Sequence, residues 1–143
     1  MKRIAVVATV SVLALCGVSA AIAGIVEDRQ ALMKSFGPAT KDALGFKNGT
    51  TPFDAAKVKA TMQIYIDAAA KMDKLFATAP KADEKTKASA KIWAESAGFK
   101  AEVSKFSADA KAAAATTDTA SFAAAFTKVT ADCSSCHGAY REK

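Results

Sequence analysis

Phe122-Ala123-Ala124-Ala125-Phe126-Thr127-Lys128-Val129-Thr130-Ala131-Asp132-Cys133-Ser134-Ser135-Cys136-His137-Gly138-Ala139-Tyr140 is the stretch whose reading decides the fold. Phe122, Phe126, Val129, Cys133, Cys136 and Tyr140 recur at intervals of four and three, which is the spacing of one face of an α-helix. A strand would need alternation by two, and none is present. The apolar face changes chemistry along its length: it starts with aromatic rings and ends with two thiols beside a histidine.

The same periodicity recurs upstream. Ile25, Leu32, Phe36 and Leu44 mark a first helix over about 25–44, with Met33 beside them and Glu27 and Asp28 in the favourable first turn. Gly37-Pro38 should bend it and Gly45 should end it. Lys47-Asn48-Gly49-Thr50 reads as a turn. Thr51-Pro52-Phe53-Asp54 opens a second helix, with Thr51 as N-cap and Pro52 at the first position. Val58, Met62, Tyr65, Ile66, Ala69, Met72 and Phe76 carry that helix to Ala79, before Pro80. A third runs over about 87–114 through Ile92, Phe99, Val103, Phe106 and Ala110, with Ser96 packed on the same stripe. Thr116-Thr117-Asp118-Thr119 breaks the chain before the fourth helix, which starts near Ala120. The fold class is therefore all-α: four amphipathic helices in an antiparallel up-down-up-down bundle.

Residues 1–23 stand apart. Lys2 and Arg3 precede an apolar run, and Ala21-Ile22-Ala23 supplies the small residues of a cleavage site, so the segment reads as a secretory signal peptide. The cut is placed after Ala23, with Ala20 as the alternative, and Cys16 goes with the removed segment. No charge falls between Ile4 and Val26, so an uncleaved membrane anchor is the alternative reading. One domain, 24–143, is left. The full chain has 143 residues, 51% hydrophobic and 24% charged, with 20 basic and 14 acidic side chains and a net charge of +6. Losing Lys2 and Arg3 brings that to about +4. Scattered lysines without interleaved aromatics argue against nucleic acid as a partner.

Cys133-Ser134-Ser135-Cys136-His137 has the C-x-x-C-H pattern of covalent haem attachment. Two thiols three residues apart on a helical turn can reach the two vinyl groups on one haem edge, and the adjacent imidazole can project over the ring to the iron. A redox disulfide usually sits in a βαβ setting, which is not seen here. Zinc would need further ligands, and His137 is the only histidine. A structural disulfide is the remaining alternative. The expectation is one covalent haem c on Cys133 and Cys136, with His137 as axial iron ligand. A second histidine ligand within the chain is impossible, so the sixth site falls to Met, Lys, water or nothing. Met33, Met62 and Met72 are the candidate methionines, each of which by default is core filler.

The position of this motif in the last helix, with Arg29-Gln30 in the first, Thr51-Pro52-Phe53-Asp54 opening the second, Lys91-Ile92-Trp93 in the third and Tyr140-Arg141 after the motif, resembles the class II c-type cytochromes, the cytochrome c′ family and its low-spin relatives. The resemblance spans essentially all of residues 24–143. It implies a periplasmic haem bundle, often a homodimer, and a residue facing the iron four after the first-helix arginine, here Met33. It also implies that Arg29 and Gln30, one helical turn before Met33, lie near the haem edge, where Arg29 could pair with a propionate; Tyr140 and Arg141 return to the side of His137 one helical turn on, so Arg141 is expected to shield the proximal face. Where the family commonly has an acid shortly before the Ile-Trp pair, this chain has Lys87, Ala88 and Ser89. Two functions follow from the resemblance. With Met33 as sixth ligand the protein is a six-coordinate electron carrier serving periplasmic redox partner proteins. With that site open it is a five-coordinate, high-spin protein binding small gases such as nitric oxide. An enzyme is not expected, since no distal histidine or second redox centre is available.

Overall fold

The computed structural model describes residues 24–81 and 84–143, so the reading of residues 1–23 as a signal peptide lies outside them. Five helices are present among these residues: α1 (Ile25–Lys47), α2 (Ala55–Leu75), α3 (Lys91–Ala94), α4 (Ser96–Ala114) and α5 (Thr119–Tyr140). The four long ones form the bundle, with the one-turn α3 as a prefix to α4. Each long helix packs on two neighbours: α1 on α2 and α5, and α4 on α2 and α5. This is the cyclic order that short connections between antiparallel helices impose.

Tyr65, 2% exposed, sits where the four helices meet. Its ring lies 5.1 Å from Phe36 of α1, 6.0 Å from Phe106 of α4 and 6.2 Å from Phe126 of α5. Its hydroxyl and that of Thr40, 2.7 Å apart, share a hydrogen bond, so the buried phenol is not left unpaired. Phe36 meets Phe106 edge-to-face at 5.9 Å, closing the α1–α4 diagonal. The α5 stripe behaves as its spacing requires: Phe122, Phe126 and Val129 are fully buried, Tyr140 is buried, and Cys133 and Cys136 are half-buried against the core.

The helix boundaries differ from the sequence-based ones, and each difference has a local cause. α1 passes through Gly37-Pro38 and runs one turn beyond Leu44, because Phe46 is buried edge-to-face against Phe122. Ala43 and Phe46 turn inward there, which leaves Leu44 exposed rather than in the core. Gly49 takes the positive φ of 71° that the following turn needs. α2 is capped by Asp54, not Thr51: the Asp54 carboxylate accepts from the N–H groups of Ala56 (2.9 Å) and Lys57 (3.0 Å). Pro52 therefore lies before the helix.

α2 also stops at Leu75, short of Ala79. Arg29 Nε donates to Leu75 O (2.8 Å), Arg29 Nη2 to Thr78 O (2.5 Å) and Trp93 Nε1 to Phe76 O (2.9 Å), so side chains satisfy the last carbonyls. The Arg29 guanidinium lies 5.0 Å from the Phe76 ring centroid and 5.4 Å from that of Trp93. The region expected to open a helix at Lys87 is extended instead. The Thr86 hydroxyl accepts from Ala88 N–H (3.1 Å), while Ser89 N–H donates to Tyr140 O (2.9 Å) and Glu142 N–H to Lys87 O (2.8 Å). These bonds form an antiparallel bridge between Ala88 and Arg141, and local hydroxyl partners of this kind compete with helix. A break at Glu95 (φ −116°, ψ 45°) then separates α3 from α4 and leaves Ser96 exposed rather than packed.

Two stability outcomes follow. Phe126→Ala removes a fully buried ring from the centre and is expected to cost about 3–5 kcal/mol in denaturant unfolding. Arg29→Met keeps the side-chain bulk but leaves the Leu75 and Thr78 carbonyls without their donors, with an expected cost of about 1–3 kcal/mol. Loss of helix from the C-terminal end of α2, followed by amide hydrogen exchange at residues 72–78, locates that effect.

Candidate haem site

A cavity of about 750 Å³ opens at the end of the bundle where α5 finishes, within the size range of cofactor sites. α1 supplies one wall with Val26, Arg29, Gln30, Met33 and Lys34. α5 supplies another with Cys136, His137 and Tyr140. Met72 of α2, Phe76 just after it, Ile92 and Phe99 form the apolar floor, and Lys85 to Ala88 with Arg141 close the mouth.

The residues expected at the site are largely brought together. Met33, half-buried, and His137 line the same cavity from different helices. Gln30 is exposed on its rim. Arg29 is 4% exposed and lines the cavity, but two of its nitrogens serve α2; the third, Nη1, is buried without a partner. Cys136 lines the cavity, whereas Cys133, one turn earlier, has its sulfur turned back onto its own helix, donating to Val129 O at 3.3 Å. Arg141 follows the end of α5 in extended backbone, held at the mouth by its bridge to Ala88.

The electrostatics around the two cysteines disfavour a redox-active pair. No disulfide joins them. Burial, then the charge of Asp132, raises the Cys133 pKa; burial, then Glu102 and Cys133, pushes Cys136 up to about 11. A redox-active Cys-x-x-Cys pair needs the opposite shift, because the thiolate is the reactive form. Desolvation of the imidazole, with the Arg141 charge second, lowers the His137 pKa and so favours the neutral ring, although the residue faces an open cavity. A neutral imidazole is the form that ligates a metal. A flat apolar group with anionic edges fits this lining: the Cys136 thiol and the His137 imidazole on one wall, with Cys133 one turn behind them, a thioether on another, and an orphaned guanidinium nitrogen suited to a carboxylate.

Met72 was read from the sequence as core packing. It is buried in the core, yet it also lines the cavity, one turn before Phe76. Its place at the end of the α2 stripe, level with Arg29 across the α1–α2 contact, was the available signal. Lys85 and Thr86 were missed as well, since nothing in their local sequence placed them at the mouth, whereas Lys87 and Ala88, which stand where the resemblance expected an acid, do line the cavity.

The family model described as Cytochrome C' matches residues 24–141. Cytochrome c' of Rhodopseudomonas palustris is 34% identical over 140 residues, covering 96% of each chain. Cytochrome c-556 of Agrobacterium fabrum is 38% identical over 133 residues, covering 90% of this chain and 88% of that one. Among solved structures, a nitric oxide complex of a mutant cytochrome c prime from Alcaligenes xylosoxidans superposes with a TM-score of 0.72 at 28% identity, covering 83% of this chain and 94% of that one. With a bundle of this order, a C-x-x-C-H helix facing a cavity of cofactor size, and relatives matched along nearly their whole length, the chain belongs to the cytochrome c′ family of class II c-type cytochromes, whose members carry a single covalent haem c.

Proposed function

We propose that this protein is a periplasmic electron carrier, with the haem joined to Cys133 and Cys136 and its iron held between His137 and Met33. The observation that carries the reading is the convergence of a half-buried thioether from α1 and an imidazole from α5 on one largely apolar cavity. The haem supplies a one-electron iron centre, and the chain's residues set the conditions around it. Attachment to two thiols three residues apart holds the ring against α5. A soft sulfur opposite an imidazole suits both oxidation states of iron and raises the potential. Phe76, Phe99 and Ile92 exclude water from the cavity floor, and Arg29 Nη1 is available for a propionate. Export fits the reading of residues 1–23, and no helix among the described residues is long and apolar enough to cross a membrane. Leu44 on α1 and Ile64 on α2, 40% and 42% exposed, are apolar side chains that a homodimer would cover.

Gas binding at an open sixth site is the second reading. It is favoured by the likeness to a cytochrome c prime solved with nitric oxide, and Met72, a second thioether on the cavity floor, is consistent with methionine there serving as apolar lining. Neither reading makes the protein an enzyme.

Acid-acetone treatment is expected to leave the colour with the protein, and Cys133→Ala with Cys136→Ala to remove the haem mass from the chain. The ferric wild type is expected to be low-spin and its ferrous form to resist carbon monoxide. Met33→Ala should then give a high-spin protein that takes up carbon monoxide, while Met72→Ala should keep the low-spin spectrum. A wild type that is already high-spin moves the function to gas binding.

A further inference from the structure

Charge is distributed unevenly around the cavity. Five of its described lining residues are cationic (Arg29, Lys34, Lys85, Lys87 and Arg141), and none is acidic. Two are already engaged: Arg29 is buried and bonded to α2, and Lys87 Nζ donates to the main-chain oxygen of Lys143 at 2.5 Å. Lys34, Lys85 and Arg141 are exposed and make no ion pair among the described residues. Glu84, whose charge is felt at Arg29, accepts from Lys81 N–H at 2.9 Å. The rim is also held in shape. Lys34 stands on α1, while Arg141 and the segment after Lys85 are fixed to each other by the Ala88–Arg141 bridge. Two propionates would offset part of this charge.

We infer that this rim is a docking face for an acidic redox protein, which would set a cluster of carboxylates against Lys34, Lys85 and Arg141 over the mouth of the haem cavity. The inference rests on the electron-carrier reading. Preformed surface charge of one sign steers an oppositely charged partner and fixes its orientation, more than it adds affinity. Because these cations are exposed, salt should screen them strongly, the Debye length being about 10 Å at 0.1 M.

The test is stopped-flow reduction of the ferric holoprotein by hexacyanoferrate(II). One electron passes from the reagent's iron to the haem iron, with no bond made or broken. Hexaammineruthenium(II) serves as the cationic counterpart. The rate with the anionic reagent should fall as ionic strength rises, and the rate with the cationic reagent should rise. Lys34→Glu combined with Lys85→Glu should slow the anionic reagent about tenfold and speed the cationic one. Lys100→Glu with Lys111→Glu on α4, which makes the same change in net charge away from the cavity, should move either rate by no more than about twofold. An acidic ferredoxin, used as a protein probe in an NMR titration, should shift resonances around Lys34, Lys85 and Arg141 and bind about tenfold more weakly to the rim variant only. Equal effects in the two double variants, or salt slopes of the same sign for both reagents, overturn the inference. So does binding to phosphatidylglycerol vesicles through the rim without binding to the ferredoxin, which would make the face a membrane contact. A high-spin optical spectrum would instead sink the Met33 ligation and leave the salt slopes to be read on their own.

Discussion

α5 has a single apolar stripe, and two demands are placed on it. Over its first three turns Phe122, Phe126 and Val129 must fill the centre of the bundle, and all three are fully buried. Over its last turns the same stripe must present Cys136 to a cavity that the bundle leaves open. A helix cannot rotate between these tasks, since its period fixes both faces at once. Once the rings of α5 are seated against Tyr65 and Phe46, the azimuth of Cys136 and Tyr140 is fixed, and His137 follows from its place beside Cys136. The other helices then adjust to a haem wall whose orientation the core has set.

The second fixed point is the C-terminal end of α2. Its carbonyls at Leu75, Phe76 and Thr78 are taken by Arg29 from α1 and Trp93 from α3, three elements joined at one corner of the cavity. An arginine buried to this degree needs its hydrogen bonds met, and the two aromatic faces beside it supply further stabilisation. Leaving Nη1 unpaired in such surroundings is costly. A carboxylate reaching Nη1 would recover that cost, so the corner that closes the bundle is suited to a ligand with an anionic edge.

The fold was legible because its signal is redundant: each long helix repeats the period over several turns, so one misplaced residue cannot hide it. Cys133 to His137 were legible because chemistry restricts their types and spacing. What could not be read were features decided by single long-range hydrogen bonds. Ending α2 at Leu75 depends on a guanidinium 46 residues away. The extended Lys87 to Ser89 depends on Tyr140 and Glu142, more than fifty residues on, while its local sequence is compatible with helix. Asp54 outcompeting Thr51 as cap is a smaller case: both types cap well, and the exit geometry after Gly49 decides between them.

Two thioethers share the cavity, and their surroundings differ in a way that bears on ligation. Met72 is 7% exposed and belongs to the buried core, packed among the residues that hold α2 against α4, so turning it toward an iron would open a void. Met33 is only half-buried, on a wall whose neighbours Gln30 and Lys34 face outward. Its unbranched side chain can swing without disturbing the core. Met33 is thus the thioether that can reorient at low cost, and Met72 the one whose displacement would cost packing. The same argument explains why the cavity mouth is built from long cationic side chains: Lys34 and Lys85 can keep their charges in water while their stems cover the apolar rim.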